Sequence, residues 1–264
     1  MAMDSTVTRE RLVRLARQYV ESLKAAGVDW LPARSAPHVE ERPVEPTMST
    51  RIMDNPSLFA QPTDEAPMDP ASARKALDVL SESVTKCMRC PELVTNRTQT
   101  VFGVGSIRPE LCFVGEAPGA DEDAQGEPFV GAAGQLLNRI ITACGMKREE
   151  VYICNILKCR PPGNRTPLPN EAANCRGFLE AQLDLIRPKY ICALGACAAQ
   201  NLLNTTQSIG RLRGQLQNYR GIPVLCTYHP AYLLRSPDKK KDVWDDMKRL
   251  LTHMGRPVPM RADR

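Results

Sequence analysis

The sequence predicts an α/β fold, a mostly parallel β-sheet covered by helices on both faces. Short continuous apolar runs occur at Leu111–Gly115, 151–156, Tyr190–Leu194 and 223–227, the form taken by strands buried on both sides. Helical periodicity fills the intervals at 132–145, 170–187 and 196–203, and a last helical stretch spans 239–254. Strand–helix alternation of this kind belongs to parallel strands joined by crossover helices. In such sheets ligands sit beyond the carboxyl ends of the strands. Those ends read Gly115-Glu116-Ala117-Pro118-Gly119, Asn155, Gly195 and Tyr228-His229-Pro230, so a carboxylate, an amide and a histidine converge on one edge.

Ahead of the sheet, residues 6–27 place Leu12, Leu15, Tyr19, Val20 and Leu23 on one helical stripe, with Gly27 as a stop. Between Trp30 and Pro70 the periodicity collapses, and eight of the 22 prolines fall there. The expected organisation is a helical arm over 1–29, a Pro-rich flexible linker over 30–70, a compact domain over 71–255 and a tail over 256–264. A helix over 71–86, carrying Ala76, Leu77, Leu80 and Val84, opens the domain. No apolar run of membrane-spanning length occurs. The N-terminus mixes acids and bases without a continuous apolar stretch, unlike a signal peptide. A cytoplasmic location is expected. The net charge of +5 is compatible with nucleic acid without demanding it.

The segment after the first strand joins two glycines and a proline in a tight turn, then Asp121, Glu122 and Asp123, then Pro128-Phe129-Val130-Gly131. Phe129 lies off any periodic core face, where an aromatic serves either as a structural plug or as a platform for a flat ligand. Asn155 offers a donor and an acceptor, which suits an edge showing N–H beside C=O, or bonds to local backbone. The chain holds three histidines, and of these His229 alone stands at a strand end. Leu233-Leu234-Arg235, followed by Lys239, Lys240 and Lys241, reads either as a wedge with phosphate-gripping charges or as a helix start with surface lysines.

Of the ten cysteines, Cys112, Cys154, Cys192 and Cys226 lie inside predicted strands, and Cys144 and Cys197 lie on helices. Buried small hydrophobes are the default for these six. Cys87-x-x-Cys90, Cys159 and Cys175 remain, and four thiolates from separated segments suit either zinc or a four-iron cluster.

Taken together, these motifs over about 77–252 resemble the family-4 uracil-DNA glycosylases. The resemblance rests on Gly115-Glu116-Ala117-Pro118-Gly119 with Glu122-Asp123, Pro128-Phe129-Val130-Gly131, Asn155-Ile-Leu-Lys-Cys-Arg-Pro-Pro, Asn164-Arg165-Thr166-Pro167 and His229-Pro230-Ala231. It implies a three-layer α/β/α sandwich around a four-stranded parallel sheet. It also implies a four-iron, four-sulfur cluster on Cys87, Cys90, Cys159 and Cys175, with zinc the alternative. A related subgroup that crosslinks to DNA carries a histidine in the loop after the third cluster cysteine. That loop holds none here, so covalent trapping is not expected.

The implied reaction is excision of uracil from DNA by a monomeric enzyme that flips the base out of the stack. Phe129 is expected to stack on the base and Asn155 to read its N3–H and O4. His229, neutral, is expected to donate a hydrogen bond to O2 as negative charge builds there. Family-1 enzymes carry a water-positioning aspartate where this chain has Ala117, which leaves Glu116 and Glu122 as the available carboxylates. Leu233, Leu234 and Arg235 are the expected DNA contacts, and the N-terminal arm is expected to recruit a repair or replication partner. A nucleic-acid binding module would use the cysteines and basic loops, yet would not need Glu116, Phe129, Asn155 and His229 together. A redox protein would be indifferent to the His-Pro motif.

Overall fold

The computed structural model describes residues 68–259. The expected arm over 1–29 and nearly all of the linker over 30–70 lie outside the described residues, as does most of the tail. The domain opens with helix α1 (Pro70–Thr85), whose start is set by Asp69. The Asp69 carboxylate accepts the backbone N–H groups of Ala71 and Ser72 at 3.0 and 3.1 Å, and Pro70 occupies the first turn. A short helix α2 (Pro91–Asn96) follows the Cys87–Cys90 turn.

The sheet has six strands: β1 (Val104–Gly105), β2 (Leu111–Gly115), β3 (Tyr152–Asn155), β4 (Tyr190–Leu194), β5 (Leu216–Tyr219) and β6 (Ile222–Thr227). Their order is β1-β3-β2-β4-β6-β5. The inner four, β3-β2-β4-β6, are parallel, while β1 and β5 add antiparallel edges. The expectation of a four-stranded sheet is corrected to six. The missing strands are a two-residue piece containing a glycine and a polar hairpin arm, neither of which leaves an apolar run. The β5–β6 hairpin turns through Arg220 and Gly221 at φ 50° and 87°, the double left-handed turn that matches strand twist.

Three layers follow from the two-residue period of the strands. Leu111, Phe113, Ile153, Cys192, Leu194 and Leu225 point to one face. There they meet helix α4 (Ala132–Ala143) and helix α9 (Lys240–His253) through Leu137, Ile141, Met247 and Leu250. Cys112, Val114, Cys154, Ile191, Ala193 and Val224 point to the other. They meet α1, helix α5 (Pro169–Ile186) and helix α6 (Gly195–Leu203) through Leu77, Leu183, Ala199 and Leu202. The sandwich expected from the sequence is present. Helices α3 (Ala120–Gln125), α7 (Ile209–Leu212) and α8 (Pro230–Arg235) complete the chain. Cys112, Cys144, Cys154, Cys192 and Cys226 are buried as expected, whereas Cys197 is only partly so. Among the described residues no helix is long and apolar enough to cross a membrane.

Candidate active site

The parallel pairing of β2 with β3 sets Gly115 beside Asn155, so both strands end at one level. Asn155 is 2% exposed, and its Oδ1 is the one buried side-chain nitrogen or oxygen among the described residues with no hydrogen-bond partner. A buried acceptor left empty costs about 1–3 kcal/mol, so this oxygen is poised for a donor that arrives with a ligand. It is not engaged with local backbone.

Phe129 stands over the same place, with its backbone in the left-handed region at φ 55°. A non-glycine residue held there signals strain maintained by its surroundings. Glu122 supplies the hold: Oε1 accepts the N–H groups of Val130 and Gly131 at 2.9 and 3.0 Å, and Oε2 accepts that of Gly119 at 3.1 Å. Arg148 donates to the Pro128 carbonyl at 2.6 Å. Gly134 lets α4 pass beneath, since a Cβ there would meet the Phe129 carbonyl oxygen at 1.9 Å. The Phe129 ring lies 5.5 Å from that of His229, tilted by 34°.

His229 caps α8, and its Nδ1 accepts the backbone N–H of Ala231 at 3.1 Å. In the neutral ring this places the proton on Nε2, leaving a donor. Burial, and then the Arg235 charge, lower the His229 pKa to about 4, with Glu122 pulling weakly the other way. The ring is thus neutral at physiological pH. Gly195, at φ 89°, gives the histidine room, for a Cβ there would stand 3.0 Å from that of His229.

A cavity of about 560 Å³ brings Glu116, Ala117, Glu122, Phe129, Asn155 and His229 together. Leu234 and Arg235 stand on its rim side. The two candidate carboxylates differ. Glu122 spends its oxygens on three backbone donors, which makes it the brace of the Phe129 loop and corrects its expected place as a water-activating group. Glu116 keeps its carboxylate in the cavity, where burial raises its pKa and a hydrogen bond from Thr166 opposes the rise. Leu233 is corrected as well: it is 1% exposed, packed in the core between α8 and its neighbours, while Leu234 is 43% exposed. A helix beginning at Pro230 sends consecutive residues about 100° apart.

The remaining four cysteines line a second, small cavity: Cys87 and Cys90 from the turn before α2, Cys159 after β3, and Cys175 on α5. Arg97 donates to Cys159 Sγ at 3.0 Å, and Asn174 donates to Cys90 Sγ at 3.5 Å. Burial raises the Cys159 pKa and pushes the Cys175 thiol up to about 11. Buried thiols that already receive N–H donors suit thiolate ligation of a positively charged metal centre, which would supply the charge their surroundings lack. Among the described residues no three His, Cys, Asp or Glu side chains close on a single-ion site. Sulfurs around one tetrahedral zinc would stand about 3.8 Å apart, given bonds of about 2.3 Å. The quartet thus surrounds a space without collapsing on one ion.

Sequence reasoning missed Arg97, Arg148 and the fully buried Lys158. Lys158 interrupts the apolar run Asn155-Ile-Leu, a signal that pointed to a buried cation.

The uracil DNA glycosylase superfamily model matches residues 102–248. A type-4 uracil-DNA glycosylase of Thermotoga maritima is 45% identical over 177 residues, covering 66% of this chain and 92% of the relative. One from Archaeoglobus fulgidus is 40% identical, covering 72% of this chain and 98% of the relative. A type-5 uracil-DNA glycosylase of Pyrobaculum aerophilum is 29% identical, covering 57% and 80%. The match spans every element that builds the cavity from β2 to α8, and on that ground the chain belongs to the uracil DNA glycosylase superfamily.

Proposed function

We propose that this chain, a uracil-DNA glycosylase, excises uracil through the cavity at the ends of β2 and β3. The observation that carries the reading is the empty Oδ1 of Asn155, buried in a pocket beside a flat ring. Uracil N3–H would fill that acceptor, while the amide nitrogen of Asn155 would serve O4. Cytosine has no N3 proton and would leave the oxygen unpaired. Phe129 stacks on the base. His229 Nε2–H points its donor at O2, where negative charge develops as the glycosidic bond stretches. A ring already neutral and buried needs no proton transfer to do this. Glu116, the carboxylate left free in the cavity, orients the attacking water, and Ala117 lines the wall. Leu234 enters the duplex and Arg235 meets phosphate.

Cys87, Cys90, Cys159 and Cys175 would hold a four-iron, four-sulfur cluster. The donor set of four buried thiols, the N–H donors on two of them and the likeness to type-4 relatives support this over zinc. The cluster's chemistry here is structural, binding the turn before α2 to β3 and α5. The catalytic domain over 71–255 acts as a monomer in the cytoplasm, and the arm over 1–29 on its linker recruits a repair partner. Deleting residues 1–70 without changing partner capture would remove that last assignment.

The test is incubation with a labelled oligonucleotide containing one uracil, followed by alkali to break abasic sites. Strand cleavage at uracil, abolished in Asn155→Ala and His229→Ala proteins, is the expected result. Undiminished cleavage in Asn155→Ala would overturn the pocket assignment.

A further inference from the structure

Lys158 is buried with 0% exposure, yet both acceptors of its ammonium are neutral. Nζ donates to the main-chain oxygen of Asn155 at 3.0 Å and to Gln182 Oε1 at 2.6 Å, and it lies 5.8 Å from the Phe102 ring centre. An ammonium sealed among neutral groups is costly unless negative charge lies close by. The cysteine quartet is the neighbour that fits. Cys159 is next in the chain, the Lys158 backbone N–H donates toward the Cys175 sulfur, and the ammonium charge is felt there. A metal centre ligated by four thiolates carries net negative charge, which the bare thiols do not.

The other end of the contact is the base reader. The peptide plane after Asn155 is pinned on both edges: Ile156 N–H donates to the Gly115 carbonyl at 2.9 Å, and Lys158 holds the Asn155 carbonyl. With that plane fixed, the direction in which Asn155 leaves the strand is fixed too. We propose that Lys158 is a positioning residue, a buried cation that joins the four-cysteine centre to the amide that reads uracil. The inference rests on the roles given above to Asn155 and the cysteines. It adds that the metal centre and base recognition are linked through one side chain.

The experiment compares cluster-loaded wild-type protein with Lys158→Met, using Asn155→Ala as the control for the pocket. Single-turnover cleavage, affinity for the abasic product, the cluster's reduction potential and circular dichroism are measured on each. Folded Lys158→Met is expected to cleave about 10- to 100-fold more slowly, the range for residues that orient a functional group. Its affinity for abasic DNA should stay within about twofold, since the lost interaction orients a group that the product no longer engages. Removing a cation beside the centre should shift its one-electron equilibrium at least tenfold toward the oxidised form, about 59 mV. Wild-type cleavage or an unmoved potential in folded Lys158→Met overturns the proposal.

If Lys158→Met does not fold, Gln182→Glu sets a carboxylate against the ammonium while leaving Lys158 on Asn155. Cleavage should then be kept and the potential should fall, and an unmoved potential again overturns the proposal. Failure of the underlying reading looks different. A colourless preparation removes the cluster, and an active Asn155→Ala removes the pocket, both before Lys158 is changed.

Discussion

The side-chain oxygen of Asn155 lies 2.4 Å from the point where a Cβ on Gly115 would stand. The same Cβ would meet the Phe129 ring at 2.5 Å. Gly115 is therefore the floor on which the base reader and the stacking ring both rest, and any side chain there must push them aside. Gly115→Ala is expected to fold, because the residue sits in regular strand. Its cleavage should fall by about 100-fold, the scale for displacing a reacting geometry by an ångström. Steady-state cleavage beside a thermal melt checks this. Full activity with an unchanged melting point would show that the pocket does not need this clearance.

A second prediction concerns the charge on His229. Burial and the Arg235 guanidinium hold its pKa at about 4, below the ordinary 6.5. The ring stays neutral as pH falls through 6.5 and gains its proton only near 4, so loss of rate through His229 belongs to the lower value. Between these values the unfolded chain binds more protons than the folded one, and stability declines as pH drops across that window. Arg235→Ala removes a charge that lowers the pKa and should move the midpoint upward. Proton NMR of the imidazole, assigned by its absence in His229→Gln, reads both values. A wild-type midpoint near 6.5, or no movement in Arg235→Ala, would contradict the electrostatic account.

The two glutamates should separate by phenotype. Glu122→Gln replaces a carboxylate oxygen with an NH₂ group that faces backbone N–H donors, and should cost about 1–3 kcal/mol of stability. It should also slow cleavage by loosening Phe129. Glu116→Gln leaves those bonds intact. The melting point should hold while kcat falls by about 100-fold or more, as expected on losing a group that handles the attacking water. Thermal melts and single-turnover rates distinguish the two. A Glu116→Gln protein with normal kcat would leave the water without an assigned partner in this cavity.

The inner sheet was legible because burial on both faces forces apolar runs, and Leu111–Gly115 and Tyr190–Leu194 appear with the bounds the sequence predicts. The edges were not. β1 and β5 exist because a neighbouring strand offers its open hydrogen-bonding edge, and that leaves no pattern in Val104-Gly105 or Leu216-Gln-Asn-Tyr219. In the site, strand ends marked Glu116, Asn155 and His229 for convergence. Composition did not reveal which carboxylate was free, because the bonds that occupy Glu122 come from backbone groups up to nine residues away. Nor did it reveal that Lys158 runs inward, since a lysine is ordinarily solvated.

The last prediction follows from the phase of α8. Leu233 and Leu234 are adjacent and alike in sequence, but a helix started at Pro230 turns the first into the core and the second outward beside Arg235. Leu233→Ala empties a packed site and should cost about 2–5 kcal/mol of stability. Leu234→Ala loses no buried packing, so its melting point should stay within about 0.5 kcal/mol of wild type. If Leu234 fills the gap left by a flipped base, its loss should slow cleavage of uracil in a duplex more than in a single strand, where no stack has to be opened. Equal losses on both substrates would mean that Leu234 acts after extrusion, and no loss on either would place the wedge on another part of the rim.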